Sequence, residues 1–268
     1  MKRISKIVVF DLDETLGYFT ELGMLWDTIQ NYFNHDLGQL TFNKLCDLYP
    51  EFFRPHIFTI LKFLVKKNKT SKKNSIMIYT NNQGPKSWTM HIKSYIEHKL
   101  DYKLFSQIIG AFKVGGKRVE LCRTSHDKTY EDFVRCTKIP KSAEICFFDD
   151  QLHEDMQHDK VYYVNVKPYH YSISFPEMID RFIKSDIGKH LIHKYYRNDI
   201  NKFTMLSLRF LKNYRHAYYN KSSKDHNVDK VVSKKMMVHL QSFFNENYSN
   251  GTRKLNSRRH NRTRKIKH

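Results

Sequence analysis

The sequence predicts an α/β fold: a central, mostly parallel sheet flanked by helices, with a small helical insertion and a basic helical C-terminal extension. Three observations carry this. Residues 7–10 (Ile-Val-Val-Phe), 76–79 (Ile-Met-Ile-Tyr) and 143–148 (Ala-Glu-Ile-Cys-Phe-Phe) are short, nearly continuous apolar runs, as strands buried on both faces are. The stretches between them carry apolar residues at helical spacing. Each run stops abruptly at polar groups: Asp11 and Asp13, then Thr80 and Asn81, then Asp149 and Asp150. Open α/β sheets bind their ligands beyond the carboxyl ends of the strands, where these residues fall.

The elements follow in order. After the first strand, Met24-Leu25-Trp26, Ile29, Tyr32-Phe33 and Leu45, Leu48-Tyr49 give a helical insertion over about residues 17–53. It is too short for a large lid, so the site is expected to stand open to a bulky substrate. Ile57, Ile60, Leu61, Leu64 and Val65 mark a helix buried on one face. Residues 66–74 read as a polar linker into the second strand, and residues 105–109 as a third strand. Val114-Gly115-Gly116-Lys117 marks a turn, with the composition of a hairpin tip. Lys128 opens an amphipathic stretch whose apolar face is Tyr130, Phe133 and Val134. Residues 161–166 read as the last core strand, and Pro176 starts a closing helix. This places a catalytic-type domain at 1–186, a helical extension at 187–250 and a disordered tail at 251–268. Within the extension, Phe203, Leu206, Phe210 and Tyr214 form one stripe; Val232, Met236, Leu240 and Phe243 form another. Residues 220–229 read as a polar break between them. Both stripes are packing surfaces.

Asp11 and Asp13 are separated by one residue at a strand end. Carboxylates this close repel unless a cation joins them or one takes a proton. Hard oxygen ligands suit Mg²⁺, which shares its remaining positions with phosphate and water. A strand followed by a polar turn would also account for that segment alone. The full order is acid-x-acid, hydroxyl, lysine, acid-acid, at Asp11/Asp13, Thr80, Lys128 and Asp149/Asp150. It resembles the haloacid dehalogenase-like (HAD) superfamily of phosphohydrolases and implies a Rossmann-like sheet.

Asp11-Leu12-Asp13-Glu14-Thr15-Leu16, with Phe53-Arg54-Pro55-His56-Ile57 before the second strand and Phe147-Phe148-Asp149-Asp150, narrows the resemblance. It looks like the C-terminal-domain phosphatases of RNA polymerase II and the small phosphatases resembling NLI-interacting factor. That similarity covers about the first two-thirds of the chain. It implies a protein serine/threonine phosphatase using Mg²⁺. The second motif departs from it: Thr80-Asn81-Asn82-Gln83-Gly84 is more similar to the polynucleotide 3′-phosphatases and histidinol-phosphate phosphatases. A nucleic-acid end phosphatase is therefore the alternative. A non-enzymatic scaffold that keeps the fold and binds RNA or a partner is a third.

Phosphoryl transfer needs an in-line nucleophile, neutralisation of phosphate charge and a proton for the leaving group. Asp11, at the strand end, suits the nucleophile, and Asp13 the general acid and base. Thr80, Asn81 and Lys128 can bind phosphate, although Asn81 could equally cap the next helix. A lysine at a helix N-terminus sits against the positive end of the dipole, which argues for a specific partner for Lys128. The metal set is Asp11, Asp13, Asp149 and Asp150. The resemblance makes Asp150 the more direct ligand and has Asp149 orient Lys128. Arg54 reads as a pin for the helix start, Tyr79 and Trp88 as packing, and His153 as structural.

Residues 1–186 hold 27 Lys+Arg against 23 Asp+Glu, whereas residues 187–268 hold 20 against 4, so the last third carries most of the net +20. The final stretch, 251–268, has eight basic residues and no acid. Residues 187–268 thus offer a partner surface for nucleic acid or another polyanion. Cys46, Cys122, Cys136 and Cys146 show no paired spacing for metal or disulfide, which reads as a reduced, intracellular protein. Neither a signal peptide nor an apolar run of the roughly 18 residues needed for a membrane span is seen. Richness in Lys, Asn, Ile, Tyr and Phe suits an AT-rich genome, such as that of a large DNA virus or a protist.

Overall fold

Five parallel strands form the sheet because each has apolar side chains for both of its faces. The computed structural model describes residues 5–33, 36–196, 199–214 and 217–245. In chain order the elements are β1 (Lys6–Phe10), α1 (Thr20–Phe33), α2 (Gly38–Leu48), α3 (Ile57–Thr70), β2 (Asn74–Tyr79), α4 (Lys86–Leu100) and β3 (Phe105–Ile109). A hairpin of β4 (Lys113–Val114) and β5 (Lys117–Arg118) follows, then α5 (Tyr130–Thr137), β6 (Glu144–Asp149) and β7 (Val161–Asn165). The chain closes with α6 (Phe175–Lys184), α7 (Asp186–Tyr196), α8 (Ile200–Leu211) and α9 (Ser223–Phe244). The sheet order is β3-β2-β1-β6-β7, with every pairing parallel. This is a Rossmann-like α/β arrangement. The order reverses direction at β1, so the crevice between the ends of β1 and β6 is the switch point where such sheets bind ligands.

Successive side chains of a strand point to opposite faces. Val8, Phe10, Ile76, Ile78, Cys146 and Phe148 enter one large core; Ile7, Val9, Met77, Tyr79, Ile145 and Phe147 enter a smaller one with Phe133 of α5. The insertion is helical, as expected. Its residues Leu22, Leu25, Trp26, Ile29 and Phe42 lie in the large core, so α1 and α2 are part of the domain wall. The extension shares the same core. Phe203 of α8 stacks on Phe33 of α1 at 5.5 Å, and Met236, Leu240 and Phe243 of α9 are buried with it.

Several expectations shift. The linker assigned to 66–74 is largely helix: α3 runs to Thr70. Lys67 and Lys69 favour a helix C-terminus through its dipole, which outweighs their polarity. The break assigned to 220–229 ends early, because Ser222 and Asp225 form a capping box that starts α9. In α8 the buried stripe is Phe203, Ser207 and Leu211, with Leu206 and Phe210 half-buried. Lys128 precedes its helix rather than opening it; Thr129 is the cap, accepting from the Asp132 N–H at 3.0 Å. Gly115 and Gly116 both have positive φ, as the hairpin turn requires. The tail at 251–268 lies outside the described residues.

The reading of four unpaired cysteines is corrected: Cys122 and Cys136 are joined in a disulfide. A separation of 14 residues carries no signal by itself; the loop before Lys128 folds back on α5 and brings the two Cα atoms to 5.1 Å. Cys46 and Cys146 are free and buried. Among the described residues no helix is long and apolar enough to cross a membrane.

Candidate functional site

The site forms where β1, β2 and β6 end. Asp11 follows β1 directly, its N–H donating to Phe148 O of β6 at 2.9 Å. The chain then turns back on itself: the Glu14 N–H donates to Gly17 O at 2.7 Å, with Glu14 at φ 60°. Gly17 is needed here, since a Cβ would sit 2.4 Å from Phe52 O. Arg54 is buried and donates from Nε to Thr15 O at 2.6 Å and from Nη2 to Glu14 O at 2.5 Å and Lys167 O at 2.9 Å. It therefore pins the loop that carries the acids, not the start of α3. Thr15 ties this loop to β6: its Oγ1 accepts from the Asp150 N–H and lies 3.1 Å from Asp150 Oδ1.

Lys128 is the cation at the centre. Its Nζ donates to Asp11 Oδ1 at 2.5 Å and to Asp149 Oδ2 at 2.7 Å. Burial alone would lower its pKa, but the two carboxylates prevail and raise it. One lysine does not balance the acids around it. Burial, reinforced by neighbouring carboxylates, pushes Asp11 and Asp150 up to about 6 and Asp13 up to about 7. Asp149 is raised as well. His153 adds no compensating charge, because burial and Lys128 push it down to about 4; its Nε2 is 3.6 Å from Asp149 Oδ2.

Asp11, Asp149 and Asp150 each offer an oxygen within 4.8 Å of the others. An excess of buried carboxylate with hard oxygen donors fits a divalent cation. The Asp13 carboxyl is not one of this group of three. It accepts from Asn82 Nδ2 at 2.7 Å instead. Asp11 continues directly from β1 beside β6, whereas Asp13 lies in the turn that follows, where the chain has left the strand and its carboxyl reaches the β2 loop.

On that loop the Thr80 N–H donates to Ile109 O at 3.0 Å, and Thr80 Oγ1 accepts from the Asn82 N–H at 3.1 Å. The Thr80 hydroxyl proton is thereby left to donate. Asn81 does not cap α4, whose cap position is Pro85. Its Oδ1 accepts from Arg123 Nη1 at 2.8 Å, which leaves Nδ2 as the group it can offer. Tyr79 is wholly buried beneath Lys128, and Trp88 packs edge-on against Phe42, both as packing residues.

Arg123 was not legible as a site residue. It is fully buried and also donates to Gly110 O and His126 O, both at 2.8 Å, and so joins the Thr80-Asn81 loop to the segment carrying Lys128. Its only sequence signal is proximity to Lys128. Asp11, Asp13, Thr80, Asn81, Lys128, Asp149 and Asp150 all line one cleft of about 180 Å³. Carboxylate oxygens that could hold a cation and hydrogen-bond donors thus share one cleft, an arrangement suited to an anion bridged to a metal. Comparison with models of known protein families, with characterised proteins and with solved structures gives no match.

Proposed function

We propose that this chain is a Mg²⁺-dependent phosphomonoester hydrolase of the HAD-like kind, working through an aspartyl-phosphate on Asp11. The observation that carries the reading is the meeting, in one cleft, of seven residues drawn from four separate stretches of chain, with Lys128 bonded to Asp11. Mg²⁺ bound by Asp11, Asp149 and Asp150 would neutralise charge on the phosphate oxygens.

The rest falls to the side chains. Lys128 holds Asp11 Oδ1, which leaves Oδ2 to attack phosphorus. The bond from phosphorus to the ester oxygen breaks, and that oxygen takes the proton of Asp13, whose raised pKa of about 7 keeps much of it protonated near neutrality. Thr80 Oγ1 and Asn81 Nδ2 donate to the phosphoryl oxygens, with Lys128 as the nearby positive charge. Asp13, now a carboxylate, takes a proton from water as that water attacks the phospho-aspartate. Inorganic phosphate leaves and Asp11 is restored.

The favoured substrate is a phosphoserine or phosphothreonine protein, because the described residues of the insertion are absorbed into the core. The Thr80–Asn82 segment and the basic composition favour a polynucleotide 3′-phosphatase as the second reading. Hydrolysis of para-nitrophenyl phosphate with Mg²⁺ or EDTA, by wild type and Asp11→Asn, tests the chemistry. The same pair on a phosphoserine peptide and a 3′-phosphorylated oligonucleotide chooses the substrate. No turnover on any of the three removes the proposal and leaves the binding scaffold.

A further inference from the structure

We propose that the edge of the sheet opposite the cleft is a nucleic-acid-binding surface. The inference is independent of the catalytic reading.

Four segments enter the sheet at this edge: residues 66–73, the last turn of α3 with its connection to β2, then 101–104 before β3, 138–143 before β6 and 157–160 before β7. Together they hold nine lysines and two acids, Asp101 and Asp159. Lys69, Lys72, Lys73, Lys103 and Lys141 are exposed. The segments touch one another. Lys69 Nζ stands 5.2 Å over the Tyr102 ring, Asn74 Nδ2 donates to Lys67 O at 2.8 Å, and Lys160 Nζ donates to Lys141 O. Lys6, at the start of the central strand, continues the row; Glu144 is 4.0 Å from it.

The spacing suits a phosphodiester backbone. Five strands about 4.8 Å apart make a row of roughly 19 Å. A nucleic-acid backbone laid along this row presents several phosphates to these lysines. A folded acidic protein fits less well. Protein interfaces centre on aromatic and other apolar anchors and are depleted in lysine. None of the large exposed hydrophobic residues among those described lies in these segments.

A further described element reaches the same edge. α9 ends here, where Lys6 Nζ donates to Phe243 O at 2.5 Å and the Phe244 ring lies 6.0 Å from Phe63. The segment that follows, 246–268, carries eight basic residues and one acid. The far edge carries Asp11, Asp13, Asp149 and Asp150, which repel phosphodiesters. Strands of five or six residues keep the two edges about 17–20 Å apart.

The test is fluorescence anisotropy of a labelled 20-nucleotide single strand with the full chain across a salt series. Wild type should bind with an affinity that falls steeply with salt. A Lys69→Glu/Lys72→Glu/Lys103→Glu/Lys141→Glu variant should bind at least tenfold more weakly, with a shallower salt slope, while still unfolding in one cooperative transition well above the assay temperature. Its para-nitrophenyl phosphate turnover should match wild type, and Asp11→Asn should bind the strand normally. The proposal is overturned by wild-type-like binding of the quadruple variant. It is equally overturned if polyglutamate displaces the probe as well as unlabelled oligonucleotide does. Loss of hydrolysis in Asp11→Asn with binding intact keeps this result separate from the phosphatase reading.

Discussion

Lys128 Nζ lies 2.5 Å from Asp11 Oδ1 with neither side chain more than a tenth exposed. A buried cation among carboxylates is held by them, and its removal strands their charge. Lys128→Met should therefore destabilise the metal-free protein by about 3 kcal/mol, in line with broken buried ion pairs. Urea unfolding in EDTA measures it. Mg²⁺ should recover part of the loss; a variant as stable as wild type in EDTA would show that the pair does not hold the two strand ends.

Protons and a cation compete for the same oxygens. Asp11, Asp13 and Asp150 have folded-state values of about 6 to 7 against an ordinary 3.8. Between these values the folded metal-free chain binds more protons than the unfolded one, so its stability falls as pH rises from about 4 to 7. The rise in melting temperature on adding Mg²⁺ should be larger at pH 8 than at pH 5. Equal increments would place the cation away from these acids.

Asn82 donates to Asp13 Oδ2 at 2.7 Å, which favours the ionised carboxylate and holds its pKa down against burial. Asn82→Ala removes the donor, so the Asp13 pKa should climb further. If Asp13 supplies the proton to the leaving group, the alkaline limb of kcat/KM moves to higher pH. An unmoved limb would assign that proton to another group.

The Cys122–Cys136 bridge closes a loop of 14 residues that carries Arg123 and Lys128. Chain-entropy arguments give about 3 kcal/mol for a loop of this size. Cys136→Ser, or dithiothreitol, should lower stability by that order. Alkylation of the unfolded chain without reductant should label Cys46 and Cys146 only, read by peptide mass spectrometry; labelling of all four would remove the bridge.

The strands were legible because their signal is local. A continuous apolar run such as Ile7-Val8-Val9-Phe10 can satisfy only a position covered on both sides. The polar residues ending those runs were legible for the same reason, and all six reach one cleft with Lys128. Helix limits were less so. Lys66 to Thr70 looked like linker because polarity masks helix propensity, and the Ser222/Asp225 capping box was hidden in a stretch read as a break.

By itself, then, the sequence determined a parallel α/β sheet with acids, a hydroxyl and amides at its carboxyl edge, since burial and strand period act residue by residue. The tertiary structure alone decided which groups meet. Crossovers of tens of residues bring Lys128 to Asp11, turn Asp13 toward Asn82 and away from Asp149 and Asp150, and set Arg123 under Asn81. They also fold the insertion and the extension into one core and close Cys122 on Cys136. Such contacts depend on where distant segments pack, and no local pattern of residues encodes that.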